Sequence, residues 1–133
     1  MIDIENEVFT RVASALRQSF AGITVQGVTE YSPSKFPFVS IEEIDNYSLQ
    51  RTRDSSGNEN HAVLVYEINA YSNKIKGRKS ECKAIISAAD DIMLQLGFTR
   101  LTRNPVSIND VSAYRILARY TAVASQDKII YRR

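Results

Sequence analysis

The sequence predicts a single α+β domain spanning residues 1–133, in which two helices pack on one face of an antiparallel or mixed sheet of about five to six strands. Two segments repeat apolar residues at helical spacing, and the other apolar segments alternate with polar residues as strands do. The elements follow in the order αβββαβββ. A chain of 133 residues, 44% hydrophobic and 24% charged, can bury a core without disulfides or a metal.

The two predicted helices are amphipathic. The first spans residues 3–20, with Asp3 at the position of its amino-terminal cap. The second spans residues 78–96 and ends at Gly97, because glycine favours the left-handed conformation of a helix end. The apolar positions that face the sheet are Ile4, Val8, Val12 and Leu16 in the first helix, and Cys82, Ile85, Ile86, Ala89, Ile92, Met93 and Leu96 in the second.

Strand segments are predicted at residues 23–28, 38–44, 61–72, 98–103, 113–124 and 128–133. In the third segment, every second residue from Leu64 to Ala70 is apolar, whereas the residues between them are of mixed polarity. This contrast predicts a sheet that is fully covered on one side only. In the fifth segment, Tyr114 and Tyr120 lie on the face opposite to Arg115 and Arg119.

Residues 47–60 are predicted to form a long hairpin loop, in which Leu49 is the single aliphatic residue. Such a loop buries too little apolar surface to offset the roughly 1–2 kcal/mol per residue that ordering its backbone costs. We expect it to be mobile in the free subunit and to become ordered against a neighbouring molecule; the alternative is a passive hairpin tip. The charged residues that would make the contacts are Arg51, Arg53, Asp54 and Glu59.

The charge of the chain is unevenly distributed. Residues 1–67 contain ten acids and five bases, a net charge of −5, whereas residues 68–133 contain five acids and twelve bases, a net charge of +7. This asymmetry fits a nucleic-acid-binding protein, or a subunit whose unlike surfaces attract copies of itself. A third possibility is that the charges mix when the chain folds.

No catalytic or metal-binding motif is recognisable in the sequence. The single histidine, His61, and the single cysteine, Cys82, have no motif that pairs them as a nucleophile and base, and two ligands do not make a zinc site. The acids of Asp90–Asp91 on a helix, and of Glu42–Glu43 on a strand, point in different directions and are expected to be solvated. The five glycines form no phosphate-binding loop. We therefore expect no enzymatic activity, no cofactor and no bound metal.

The composition also bears on partners and location. No apolar run approaches the roughly 20 residues of a membrane helix, the acidic start is unlike a secretory signal, and one cysteine suits a reducing compartment. The basic segment 74–79 could contact phosphates, but it lies at the start of a helix, where the dipole disfavours cations. The tyrosines of the fifth strand segment are not interleaved with its arginines to form a base-stacking surface. We expect no membrane partner and no direct nucleic-acid binding.

Short segments in order along nearly the whole chain carry a family resemblance: IENEVF at 4–9, FPFVSI at 36–41, NHA at 60–62, YEINAYSN at 66–73, KSECK at 79–83, LGFTR at 96–100, YR at 114–115, RY at 119–120 and IYRR at 130–133. In their order and spacing they resemble the tail terminator, or tail-completion, proteins of long-tailed bacteriophages and prophages. The family has no catalytic motif with which the match could be compared.

The resemblance implies a structural virion protein that forms a hexameric ring. The ring would dock on the end of a finished tail tube, stop tube polymerisation and present a surface to the head connector. Its partners would be copies of itself, the tail tube protein and a head-completion or connector protein. Its location would be the head–tail junction of the virion, and the host cytoplasm during assembly. Candidate interface residues are those of the loop, with Arg115 and Arg119. The alternatives are a neck or head-completion component, or a small nucleic-acid-binding regulator.

Overall fold

A computed structural model of the protein describes residues 1–30, 32–49, 60–108 and 110–131. Within them the predicted α+β fold is confirmed, with two helices and an open, mixed sheet of six strands in the predicted order. The helices are α1 (Glu5–Ser19) and α2 (Arg78–Leu96). The strands are β1 (Thr24–Gln26), β2 (Phe38–Ser48), β3 (His61–Ser72), β4 (Thr99–Pro105), β5 (Tyr114–Ser125) and β6 (Ile130–Tyr131). No helix of the described chain is long and apolar enough to cross a membrane.

The strand order keeps the two halves of the chain on separate sides of the sheet. The order is β1-β2-β3-β5-β4, with β1 parallel to β2 and the other pairs antiparallel. β6 pairs with Val123 and Ala124 of β5, whose other side is already occupied by β3. β6 must therefore lie on the same side of β5 as β4. The strands of the first half of the chain fill one side of the sheet, and those of the second half fill the other.

Both helices pack on the same face of the sheet and form the core with it. The alternating residues of β3 from Leu64 to Ala70 are fully buried against them, as predicted. Near the centre of this core, the rings of Tyr66 and Phe98 meet edge to face with centroids 5.2 Å apart. The opposite face is of mixed polarity, as predicted, and it is partly covered. There Tyr71 is buried, and it lines a small cavity together with loop residues that include Pro33 and Ala113.

The helix ends follow from their local sequence, with one shift. α2 ends in the predicted manner at Gly97, which has a φ of 104°; the N–H groups of Gly97 and Phe98 donate to the carbonyl groups of Leu94 and Met93 at 3.1 and 3.0 Å. α1 begins at Glu5, and Ile4 occupies the cap position predicted for Asp3. The Asp3 carboxylate nevertheless accepts a hydrogen bond from the N–H of Glu5 at 3.1 Å. It therefore gives a partner to a free backbone N–H of the first turn, although it lies one residue before the cap position.

Two strands extend further than predicted because each contains a β-bulge. β2 continues to Ser48 instead of ending at residue 44, since its register against β3 shifts at Ile44. β4 continues to Pro105 instead of 103, since its register against β5 shifts at Leu101. A bulge inserts one extra residue and reverses the alternation of faces beyond it. The two-residue period on which the prediction depended is therefore lost at these points.

Candidate assembly surfaces

The strand order converts the uneven charge of the chain into a gradient across the sheet. β2 carries three acidic residues and no base, and β3 carries a single charged residue, Glu67. Beyond them, β5 and β4 each carry two arginines and no acid. We call Glu42, Glu43 and Asp45 of β2 the acidic edge, and Arg100 and Arg103 of β4 the basic edge. The charges mix in part on folding, because Arg119 pairs with Glu67 and Lys128 pairs with Glu7.

Both edges also expose an aliphatic side chain at a β-bulge. The extra residue on β2 is Ile44, which is 42% exposed, and the extra residue on β4 is Leu101, which is 57% exposed. On the acidic edge, β1 pairs only with the first three residues of β2, from Phe38 to Ser40. Because a bulge interrupts the regular row of backbone donors and acceptors, each edge offers side chains as its main means of contact.

The arginines predicted as interface residues belong to a hydrogen-bonded row on the sheet face opposite to the helices. Arg119 donates from Nε to Oε2 of Glu67 at 3.0 Å, and Asn69 donates to Oε1 of the same carboxylate at 2.9 Å. Arg115 donates from Nε to Oδ1 of Asn69 at 2.9 Å, and its guanidinium lies 5.2 Å from the ring centroid of Tyr71. This row spans β3 and β5 and fixes both guanidinium groups in defined orientations.

The row places Arg115 and Arg119 near the middle of the sheet and not at an edge. The side chain of Glu67 is only 13% exposed, so its charge is largely shielded from water, whereas the side chain of Arg119 is 48% exposed. Both arginines use Nε for the hydrogen bonds described within the subunit. The part that these arginines take in an interface remains a prediction.

The four charged residues of the predicted loop, Arg51, Arg53, Asp54 and Glu59, lie outside the described residues, so their role remains a prediction. The described residues show that the loop begins later in the chain than predicted. Tyr47 and Ser48 belong to β2, and the N–H of Leu49 donates to the carbonyl of His61 at 2.9 Å. The hairpin therefore stays paired as far as Leu49, two residues beyond the predicted start of the loop.

His61 and Cys82 lie at opposite ends of β3. The Cys82 thiol contacts the carbonyl groups of Ala70 and Tyr114, at 3.5 and 3.3 Å, while the ring of His61 packs against Tyr131. His61 and Ala70 are nine residues apart on an extended strand, a distance of about 30 Å. Burial raises the pKa of the Cys82 thiol to about 12, with the charge of Glu81 acting in the same direction. The predicted packing of Cys82 into the core is confirmed, and the two residues are not brought together.

The prediction that Asp90 is solvated is wrong. Its carboxylate is 13% exposed, and Oδ1 accepts hydrogen bonds from the Tyr120 hydroxyl at 2.8 Å and from Arg100 at 3.0 Å. Burial raises the pKa of Tyr120, and the hydrogen bond to Asp90 raises it further. Asp91, by contrast, is exposed as predicted. Asp90 thus joins α2 to the neighbouring strands β5 and β4.

The basic segment 74–79 is exposed, as expected for residues around the start of a helix. Lys74, Lys76 and Lys79 are all exposed, and Gly77, with a φ of 94°, occupies the cap position before α2. None of these lysines forms an ion pair with a described residue. The segment is therefore a solvated cationic surface before the start of α2.

Sequence reasoning missed one cluster of charged groups. Asp3, Glu5 and Glu43 each place a carboxylate oxygen within 4.8 Å of the other two. The N–H of Glu43 donates to Oε2 of Glu5 at 2.9 Å, which ties the start of α1 to β2. The contact joins residues 38 positions apart in the chain. The acids in the first helical turn were visible in the sequence, but nothing local indicated that they face β2.

Comparison with protein-family models finds no match to this chain, and comparison with curated protein sequences finds none either.

Proposed function

We propose that the protein is a structural subunit of a long-tailed bacteriophage virion that assembles head to tail into a ring, as the tail terminator proteins do. The ring would cap the tail tube, end its polymerisation and provide the docking surface for the head connector. The family resemblance suggests this function. The structural observation that supports it is the placement of opposite charges on the two edges of one sheet.

A head-to-tail contact joins two different surfaces of the same subunit, so these surfaces must be complementary and must lie apart. The acidic edge and the basic edge meet both requirements, because the strands between them separate them. Ile44 and Leu101 add an apolar side chain to each edge, which suits an interface with an apolar centre and a polar rim. Because both edges are bulged, we expect the contact to form through side chains and not by extension of the sheet.

Charge reversal at each edge tests the proposal. Asp45 and Arg103 are both exposed, so Asp45→Arg and Arg103→Glu are expected to leave the fold intact. Asp45→Arg lowers the charge of the acidic edge from −3 to −1, and Arg103→Glu lowers that of the basic edge from +2 to 0. Each variant alone should therefore assemble less well than the original protein. In a mixture of the two, the two reversed side chains can meet at one contact while the next contact keeps its original charges, so assembly should recover. Sedimentation velocity at low and high salt measures this, and electron microscopy tests for rings.

The control is Arg11→Glu, which reverses a charge on the exposed side of α1, away from both edges. If the two edge variants assemble like this control, or if the protein is a two-fold dimer under all conditions, the head-to-tail proposal fails. A neck or head-completion component could use the same contacts. Addition of the protein to growing tail tubes separates these functions, because a terminator stops elongation and binds at tube ends.

A nucleic-acid-binding regulator is the second candidate function. It is favoured by the exposed lysines of segment 74–79, which could contact phosphates. Fluorescence anisotropy with duplex DNA at low salt would detect such binding. Binding that is lost in the Lys74→Glu/Lys76→Glu double variant, in a protein that remains monomeric, would favour the regulator over the ring.

A further inference from the structure

An open groove of about 370 Å³ lies between the start of α1 and the region of β1 and β2. Apolar side chains form part of its lining, namely those of Phe9, Val28 and Ile41. Val28 follows β1 and is 65% exposed, and Phe9 is partly buried. The groove therefore offers an apolar surface on which a partner could bury a side chain of its own.

The same groove carries a negative charge that the described chain does not neutralise. Asp3 and Glu5 belong to its lining, and their carboxylate oxygens and one of Glu43 lie within 4.8 Å of one another. The ion pairs of the described chain involve other acids, namely Asp90, Glu67 and Glu7. A partner that is complementary to the groove therefore has an exposed apolar side chain beside positive charges.

The β-bulge of β4 has this combination of side chains. The exposed Leu101 lies between Arg100 and Arg103. The side chain of Arg100 is 47% exposed although it pairs with Asp90. Arg103 is exposed and forms no ion pair with any residue that the structure describes. This bulge is thus complementary to the groove in both charge and apolar character.

Two rows of directly paired residues connect the groove to the β4 bulge across the sheet. The rows are Ile41–Ile68–Ala118–Arg103 and Glu43–Tyr66–Tyr120–Arg100. Side chains directly opposite each other on neighbouring strands share one face of the sheet. The middle residues of both rows belong to the core that the helices cover. The groove and the two arginines therefore lie at the same level of the sheet and on the same face, at opposite edges.

A second copy displaced along these rows would bring its β4 to the groove of the first. The basic segment 74–79 also exposes an apolar side chain, Ile75, but it follows the end of β3 at Ser72 and lies beyond both rows. We propose that the groove binds the β4 bulge of a second copy of this chain, with Leu101 against Val28 and the two arginines beside the acids. This contact rests on the head-to-tail assembly proposed above and assigns the two surfaces that form it.

A cation placed in the groove tests the proposal. Val28→Arg changes an exposed side chain, so the variant should fold. It should lower the association constant in sedimentation velocity at least tenfold, because the new charge repels the arginines of β4 and replaces apolar surface. The matched control is Val111→Arg, the same change at a valine that is 90% exposed between β4 and β5. The control should assemble like the original protein.

Chemical cross-linking identifies the occupant of the groove. A mixture of Val28→Cys and Leu101→Cys, treated with a short bis-maleimide, should give a linked pair with one copy of each variant. The native Cys82 is buried and is not expected to compete. A mixture of Val28→Cys and Ile75→Cys tests the basic segment 74–79 as the occupant and should not link. Mass spectrometry of the linked peptides locates each cross-link.

The contact and the assembly fail in different ways. If Val28→Arg assembles like Val111→Arg, or if Val28→Cys does not link to Leu101→Cys, the groove is not the contact surface, and this proposal is overturned. The charge reversals at Asp45 and Arg103 then still test head-to-tail assembly. If the original protein does not associate with itself at any concentration, the head-to-tail assembly fails, and this contact fails with it.

Discussion

Removal of one hydroxyl at the centre of the fold should cost the protein about 2 kcal/mol of stability. Tyr120→Phe keeps the buried ring but removes the hydrogen bond of 2.8 Å to Asp90. Hydrogen bonds to charged groups contribute about 1.5–3 kcal/mol, and the Asp90 carboxylate is only 13% exposed. Arg100 remains as its partner after the change. For a chain of 133 residues, a loss of about 2 kcal/mol lowers the melting temperature by about 7 °C.

Urea unfolding of the variant measures this loss, and Tyr114→Phe is its control. Tyr114 lies on the same strand and the same face and is half-buried, and no described residue forms a hydrogen bond with its hydroxyl. We expect the control to change stability by less than about 0.5 kcal/mol. In a double-mutant cycle, Asp90→Asn and Tyr120→Phe should be non-additive, because both remove the same bond. Equal losses in the two phenylalanine variants, or additive losses in the cycle, would refute the reasoning.

Two further predictions concern groups whose pKa is raised in the fold. Burial raises the pKa of Glu43 above its ordinary value of 4.5, so the contribution of its carboxyl to stability is fully present below that pH and is lost as the pH rises. Glu43→Gln should therefore stabilise the protein at pH 7 and bring little gain at pH 4. Equal gains in urea unfolding at both pH values would contradict this. The Cys82 thiol, with its pKa raised to about 12, should react with a thiol reagent at pH 8 only as fast as the protein opens. Labelling in denaturant provides the comparison, and equal rates in both states would be inconsistent with the buried site.

The parts of the fold that the sequence predicted well have uninterrupted periodicity. α2 has the bounds predicted for it, and the alternation along β3 identified the buried face correctly. Where a bulge broke the two-residue period, at Ile44 and at Leu101, the predicted strands ended too early. No local pattern in the sequence indicates where a bulge will form, because the extra residue of a bulge can be of almost any type.

The surfaces were less predictable because they depend on contacts between distant parts of the chain. The charge of each half of the chain could be counted, but whether the halves would separate depended on the strand order. Asp90 looked like an ordinary surface acid, since its partner Tyr120 lies 30 residues further along the chain. The acidic cluster was hidden for the same reason, because Glu43 meets Glu5 only after β2 has folded against α1.

The separation of the acidic and basic edges has a consequence for how such subunits would associate. β2 and β4 are three strand spacings apart, or about 14 Å, which exceeds the Debye length of about 10 Å at 0.1 M salt. The two edges of one subunit therefore scarcely neutralise each other across the sheet, although Arg100 is paired with Asp90 within the subunit. An open row of subunits joined by these edges has one free acidic edge at one end and one free basic edge at the other, at any length. Only closure of the row into a ring leaves no free edge. Growth by this contact therefore favours a closed ring over a filament wherever the curvature of the row permits closure.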